Sequence, residues 1–343
     1  MTSPSQAAAD GDSLTLDPEG KSGTPDGKGT PELAGRTPRQ LAWIRFKRDK
    51  TGMVCAVIVA LFIVVALSAP LIAKLYGKNP YDLYGQNEGL LNGFGLPLKP
   101  NGGISSQFWF GLEPRLGRDV FTLLIYGIRT SLLIALAVTI LSVVTGVLFG
   151  LTQGYLSGKT DYFMGRVSDF MLSFPQQLFF IAFSPVAISL FVGTGQQEAW
   201  YVRPTVLILV QFALGWMSIG RLVRAQVLSL REREFVEAAR ISGASSWRII
   251  RRELLPNLWS TILVQSTLML PIFVTAEAGL SYLGVGIIDP TPDWGLMFQT
   301  GATFYQNDIT FMFFPGIAMV AFVVDFNLLG DAIRDALDPK TLR

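Results

Sequence analysis

The sequence predicts an all-α membrane protein with six transmembrane helices and both termini on the inner side. Three observations lead there. Half of the 343 residues are hydrophobic and only 16% are charged, against about 25% charged in ordinary soluble chains, and mean hydropathy is +0.40. Six apolar stretches recur, at 53–73, 130–150, 170–191, 204–220, 258–283 and 309–329. Lys and Arg gather in alternate connections between them, the asymmetry that orients membrane helices with basic loops inside.

Residues 1–37 are rich in Gly, Ser, Pro, Thr and Asp. They offer too little apolar surface to offset ordering entropy, so a disordered inner tail is expected. It has no basic stretch followed by an apolar core, so it is not a secretory signal. Residues 38–52 follow, where "RQLAWIRFKRDK" sets five basic side chains against one acidic; this reads as an amphipathic lead-in on the inner membrane surface. The first span is 53–73. The 74–118 segment is dense in Gly and Asn and reads as an outer loop, closing on "GRDVFTLLIYGIR", whose apolar spacing is helical.

A span needs about 20 residues to cross the hydrocarbon layer. Five stretches meet that length. The fourth has 17 residues between Arg203 and Arg221, and arginines at both ends snorkel to the interface. Lys159 and Arg166 mark one inner turn, and eight arginines mark 221–252 as another. The 284–308 connection has no Lys or Arg and carries Asp289, Asp293 and Asp308, which puts it outside.

Composition closes several functional classes. There is no histidine and one cysteine, Cys55, which removes Ser-His-Asp and Cys-His nucleophiles, disulfides within the chain and Cys/His zinc sites. A net charge of +2 gives no basis for nucleic-acid binding. "GYLSGKT" at 154–160 looks like a phosphate loop, but Gln153 stands where the first glycine is required. Any use of ATP therefore falls to a partner. An intramembrane hydrolase would need a Ser-Lys or Asp-Asp dyad, and no lysine falls within a span. A proton-driven carrier using Glu277 or Asp325 is the other alternative, with no evident inverted repeat to support it.

Between spans four and five lies "EFVEAARISGASSWRIIRRELLPN", 234–257. Phe235, Ala238, Ala239 and Ser242 share one helical face of mostly small side chains. Gly243 should end that helix, and Ser245 or Ser246 should cap a second in which Trp247, Ile250 and Leu254 share a face. Pro256 should stop it. A lipid-bound amphipathic helix and a protein-docking knob both fit the composition; the small face favours the knob.

Three further features have two readings each. Glu277, close behind Pro271, lines a solute path or holds the helix break. Gly146 and Gly150 pack within the subunit or at a seam with another. "DPTPDWG" at 289–295 is a scaffold turn or a receptor contact. Asp169 is expected to pair with Arg166, and Asp325 to be solvated or paired.

The stretch "EAARISGASSWRIIRRELLP" resembles the EAA loop of ABC-transporter permease subunits, with EAA at 237–239 and Gly243 after three intervening residues. "LGRDVFTLLIYGIRTSL" at 116–132, "AEAGLSYLGVGIIDPTPDWGLMFQTG" at 276–301 and "NLLGDAIRDALDPK" at 327–340 resemble the dipeptide/oligopeptide/nickel branch, its DppC/OppC-type permease. The resemblance implies a type I ABC importer permease fold, with a MetI-like transmembrane domain over 119–343. It implies a cytoplasmic knob at 234–257 that docks on an ATPase through Phe235, Glu237, Ala238, Ala239, Gly243, Ala244, Trp247, Leu255 and Pro256. It further implies a heterodimer with a second homologous permease, two ATP-binding subunits that use ATP and Mg, and an extracytoplasmic solute-binding protein. The chain itself would bind no cofactor and sit in a bacterial inner membrane.

Overall fold

A computed structural model describes residues 38–192 and 198–337; the expected tail at 1–37 and the first part of the 193–203 connection, 193–197, lie outside the described residues. Regular structure among the described residues is helical. In chain order the elements are α1 (Pro38–Arg48), α2 (Lys50–Tyr76), α3 (Tyr84–Asn87), α4 (Val120–Leu156), α5 (Gly158–Leu172), α6 (Gln176–Phe191), α7 (Val202–Leu230), α8 (Glu234–Ile241), α9 (Ser246–Ile249), α10 (Leu255–Tyr282), α11 (Trp294–Phe304) and α12 (Thr310–Leu337). A π-turn, Ile250–Leu254, joins α9 to α10.

Aspartates start the first two long helices. Asp49 accepts from the Thr51 N–H at 3.0 Å, and Asp119 accepts from the Thr122 N–H at 2.7 Å, each satisfying a donor that the first turn leaves free. Among the described residues five helical segments are long and apolar enough to cross a membrane: α2, α4, α7, α9 through α10, and α12. The third expected span differs from the reading of 170–191 as one helix. Residues 170–172 close α5, and α6 follows at an angle of 81°. Pro175 causes the break, since it has no N–H to continue the ladder and disfavours a helical residue before it. The sixth crossing therefore exists only as a bent pair.

The bundle is built on α4 and α7, its most extensive helix pairing. Gly146, Gly150 and Gly154 form a groove on α4 that seats Ile219, Val223 and Val227 of α7; these three side chains are fully buried. The small-residue pair thus packs within this chain. α10 lies against α4 and α12, and α2 against α12 and α4.

The 77–118 segment is mostly loop, as its composition suggests, with one short helix, α3, and one tight turn at Asn101–Gly103. Buried Arg118 donates from Nη2 to Glu113 Oε1 and to Asp289 Oδ1, both at 2.8 Å, tying this segment to the α10–α11 connection. Burial pushes the Glu113 carboxyl up, against the pull of the Arg118 guanidinium. At the other end of the bundle, Arg224 grips Asp161 with two bonds of 2.6 and 2.8 Å. Arg166 and Arg221 both pair with Asp169, at 3.8 and 2.9 Å.

Candidate coupling site

α7 ends at Leu230, and the turn after it is fixed to α4 by Arg231, whose Nη1 donates to the Gly154 carbonyl at 3.1 Å. In α8, Glu234 and Glu237 occupy the first turn and Arg240 the last, the order a helix dipole favours. Its one fully buried side chain is Val236, which joins Ile249, Leu254 and Leu258 in the main core. Ala239 and Ala244 pack partly against the same cluster.

Gly243 ends α8 with φ +77°. Its N–H donates to the Arg240 carbonyl at 3.0 Å, and the Ala244 N–H to the Ala239 carbonyl at 3.1 Å, a left-handed helix stop. A Cβ at 243 would meet nothing within 4 Å, so backbone conformation alone requires glycine there. Ser245 then takes the N-cap position of α9 in extended conformation, without a side-chain bond.

The expected stop at Pro256 is corrected. Leu254 and Leu255 are right-handed helical, and the chain runs on as one rod over 246–282. The π-turn accommodates the proline. The Leu255 N–H reaches the Ile250 carbonyl, five residues back, and the widened turn relieves crowding between the ring and the carbonyl four residues before it. The same extra residue per turn points Ile249, Leu254 and Leu258 inward. Trp247 is turned out, so the shared face expected for Trp247, Ile250 and Leu254 does not form.

What remains outside is unusual for a charged surface. Ile241 is 81% exposed, Trp247 64% and Phe235 38%, with Glu237 and Ala238 exposed beside them. Large apolar side chains grouped on one short knob mark a contact surface.

Of the other acids, Glu277 is fully buried in α10 and accepts from the Ser281 hydroxyl at 3.0 Å. Its side chain is closed off from the open surface of this chain. Asp325 is buried beside Cys55 rather than solvated.

Residues 146–343 match the family model described as binding-protein-dependent transport system inner membrane component. The chain belongs to this family. This permease also matches, over residues 37–97, the N-terminal TM domain of oligopeptide transport permease C. It is 34% identical over 305 residues to the dipeptide transport system permease protein DppC of Alkalihalophilus pseudofirmus, covering 89% of this chain and 90% of that one. It is 36% identical to the glutathione transport system permease protein GsiD of Shigella flexneri, covering 89% and 91%. Its fold matches a chain of the inward-facing MetNI methionine ABC transporter with a TM-score of 0.51 at 20% identity, over 64% of this chain and 97% of that one. The permease is thus a multi-span inner-membrane subunit of an ABC importer, a transporter component.

Within the permease the expected coupling residues fall into two groups. Phe235, Glu237, Ala238, Gly243, Trp247 and Pro256 are exposed, while Ala239, Ala244 and Leu255 are half-buried. Val236 and Ile249, which anchor the knob, and Ile241, its most exposed apolar side chain, were not singled out by sequence. The i, i+3 pair Val236–Ala239 was the available signal, masked by the competing face of Phe235, Ala238 and Ser242.

Proposed function

We propose that this permease forms half of the translocation pathway for peptides or a related small solute and is driven through its 234–257 knob. Both termini and the knob face the cytoplasm. A second homologous permease completes the pathway as a heterodimer, and lipid surrounds the pair. Two ATP-binding subunits carry ATP and Mg, and each receives one permease knob through a surface such as Phe235, Glu237, Ala238, Ile241 and Trp247. An extracytoplasmic solute-binding protein delivers the solute. The dipeptide and glutathione named in the relatives support a small peptide-like cargo.

One observation carries the coupling reading: the second half of the knob, from Ser246, runs into α10 as one helical segment up to Tyr282. Force on an exposed apolar knob passes into a membrane-spanning rod. A cysteine at Ala238, carrying a crosslinker in intact cells, should capture an ATP-hydrolysing subunit; the native Cys55 is buried. Capture of lipid alone, or of no ATPase, overturns the reading.

A further inference from the structure

The far end of the same rod holds two acids that form no salt bridge among the described residues. Glu277, near the end of α10, and Asp293, the N-cap of α11, are both fully buried, and their carboxyl groups face each other. Asp293 Oδ1 accepts from the Leu296 N–H at 3.0 Å and Oδ2 from the Ser131 hydroxyl at 3.2 Å. Glu277 Oε1 accepts from the Ser281 hydroxyl, whose oxygen in turn accepts from the Ile287 N–H at 2.9 Å. Glu277 Oε2 has no donor.

Ser131 from α4, Ser281 from α10 and the Leu296 amide of α11 donate to the pair. Phe62 of α2 and Phe322 of α12 close the far side through ring contacts with Trp294. None of these is basic. Two buried carboxylates facing each other, in no salt bridge among the described residues, do not both stay ionised. An acceptor oxygen stranded against another acceptor is satisfied by one proton between them. Burial pushes the Asp293 carboxyl up, in accord with this.

We infer that Glu277 and Asp293 share one proton at neutral pH, and that this proton-bridged carboxyl pair is the joint that fixes the end of α10 remote from the knob to α11 and α4. The helices are close enough for the joint to be stiff: a Cβ at Gly127 of α4 would sit 2.9 Å from Trp294 Cδ1. The pair acts as a positioning device. Movement of the knob reaches α11 through it; that consequence rests on the proposed coupling, whereas the proton does not.

The test uses the full-length chain in lipid nanodiscs. Its infrared spectrum at neutral pH should contain the C=O stretch of a protonated carboxyl, shifted by deuterium and absent from Glu277→Gln. The glutamine amide still donates to Asp293, so this variant should fold. A carboxyl whose folded pKa is raised stabilises fully below its unfolded value, about 4, and that contribution is lost as pH rises through the folded value. The Tm of the wild type should therefore fall relative to Glu277→Gln as pH rises from acid to neutral. Glu277→Ala, which leaves Asp293 without its bridge, should melt below the glutamine variant throughout. A band unaffected by Glu277→Gln, together with a Tm gap that is flat with pH, overturns the inference. If the glutamine variant does not fold, the unmodified chain decides: no protonated-carboxyl band at neutral pH overturns it, and a band that persists in Glu113→Gln supports it.

Discussion

Replacing Gly243 with alanine isolates the turn between α8 and α9 from everything else in the molecule. The residue sits at φ +77°, and an added Cβ meets no atom within 4 Å, so no steric term enters. What remains is the cost of holding an L-residue in the left-handed region, about 1–2 kcal/mol. α8 has eight residues and one fully buried side chain, Val236, so local opening already lies well below global unfolding in free energy. A penalty of that size multiplies the open population about 5- to 30-fold. Hydrogen exchange of the 234–246 amides should accelerate by that factor, while α4 and α7 exchange as before and the Tm of the chain is unchanged. Gly243→Asn should fall between, because asparagine tolerates the left-handed region better than alanine. In the assembled importer, uptake and solute-stimulated ATP hydrolysis should decline in the same order. Exchange at 234–246 equal to wild type, or acceleration spread over the whole bundle, would refute this account of the turn.

Other substitutions probe the remaining joints. Gly150→Leu drives a side chain into the Gly220 carbonyl and Val223 of α7, where backbone cannot yield; overpacking of about 1–3 kcal/mol or more should lower the Tm, whereas Gly93→Ala, in open space, should leave it unchanged. Arg118→Met strands the buried Glu113 carboxylate and should cost about 3–5 kcal/mol, read as a lower Tm and faster proteolysis within 77–118. The double change Arg118→Met with Glu113→Leu should recover most of that loss, and failure to recover would show that the pair is not the source. Pro256→Ala returns an N–H to the ladder and lets the π-turn relax to an ordinary helix. The Tm should hold or rise while crosslinking from position 238 to the ATPase drops, because the knob is rotated about α10.

Composition and period settle an all-helical membrane chain, the approximate positions of its spans, and the glycine that ends α8 within 234–257. Span length and apolar content are properties of a contiguous stretch, and the left-handed stop at Gly243 is a property of one residue, so both are legible without any contact. Tertiary structure alone decided the rest. The break at Pro175 turned one expected span into two helices at 81°, because an interior proline either kinks or divides a helix according to what packs around it. Pro256 went the other way, and a π-turn carried the helix through it. Which side of α8 faces inward was decided by Val236 finding Ile249 and Leu254 across the turn, a comparison of two nearly equal faces that periodicity leaves open. Glu277 and Asp293 lie sixteen residues apart, and the α10–α11 connection folds them onto one point. Burial without a counter-charge, which gives that pair its chemistry, exists only once the helices have packed.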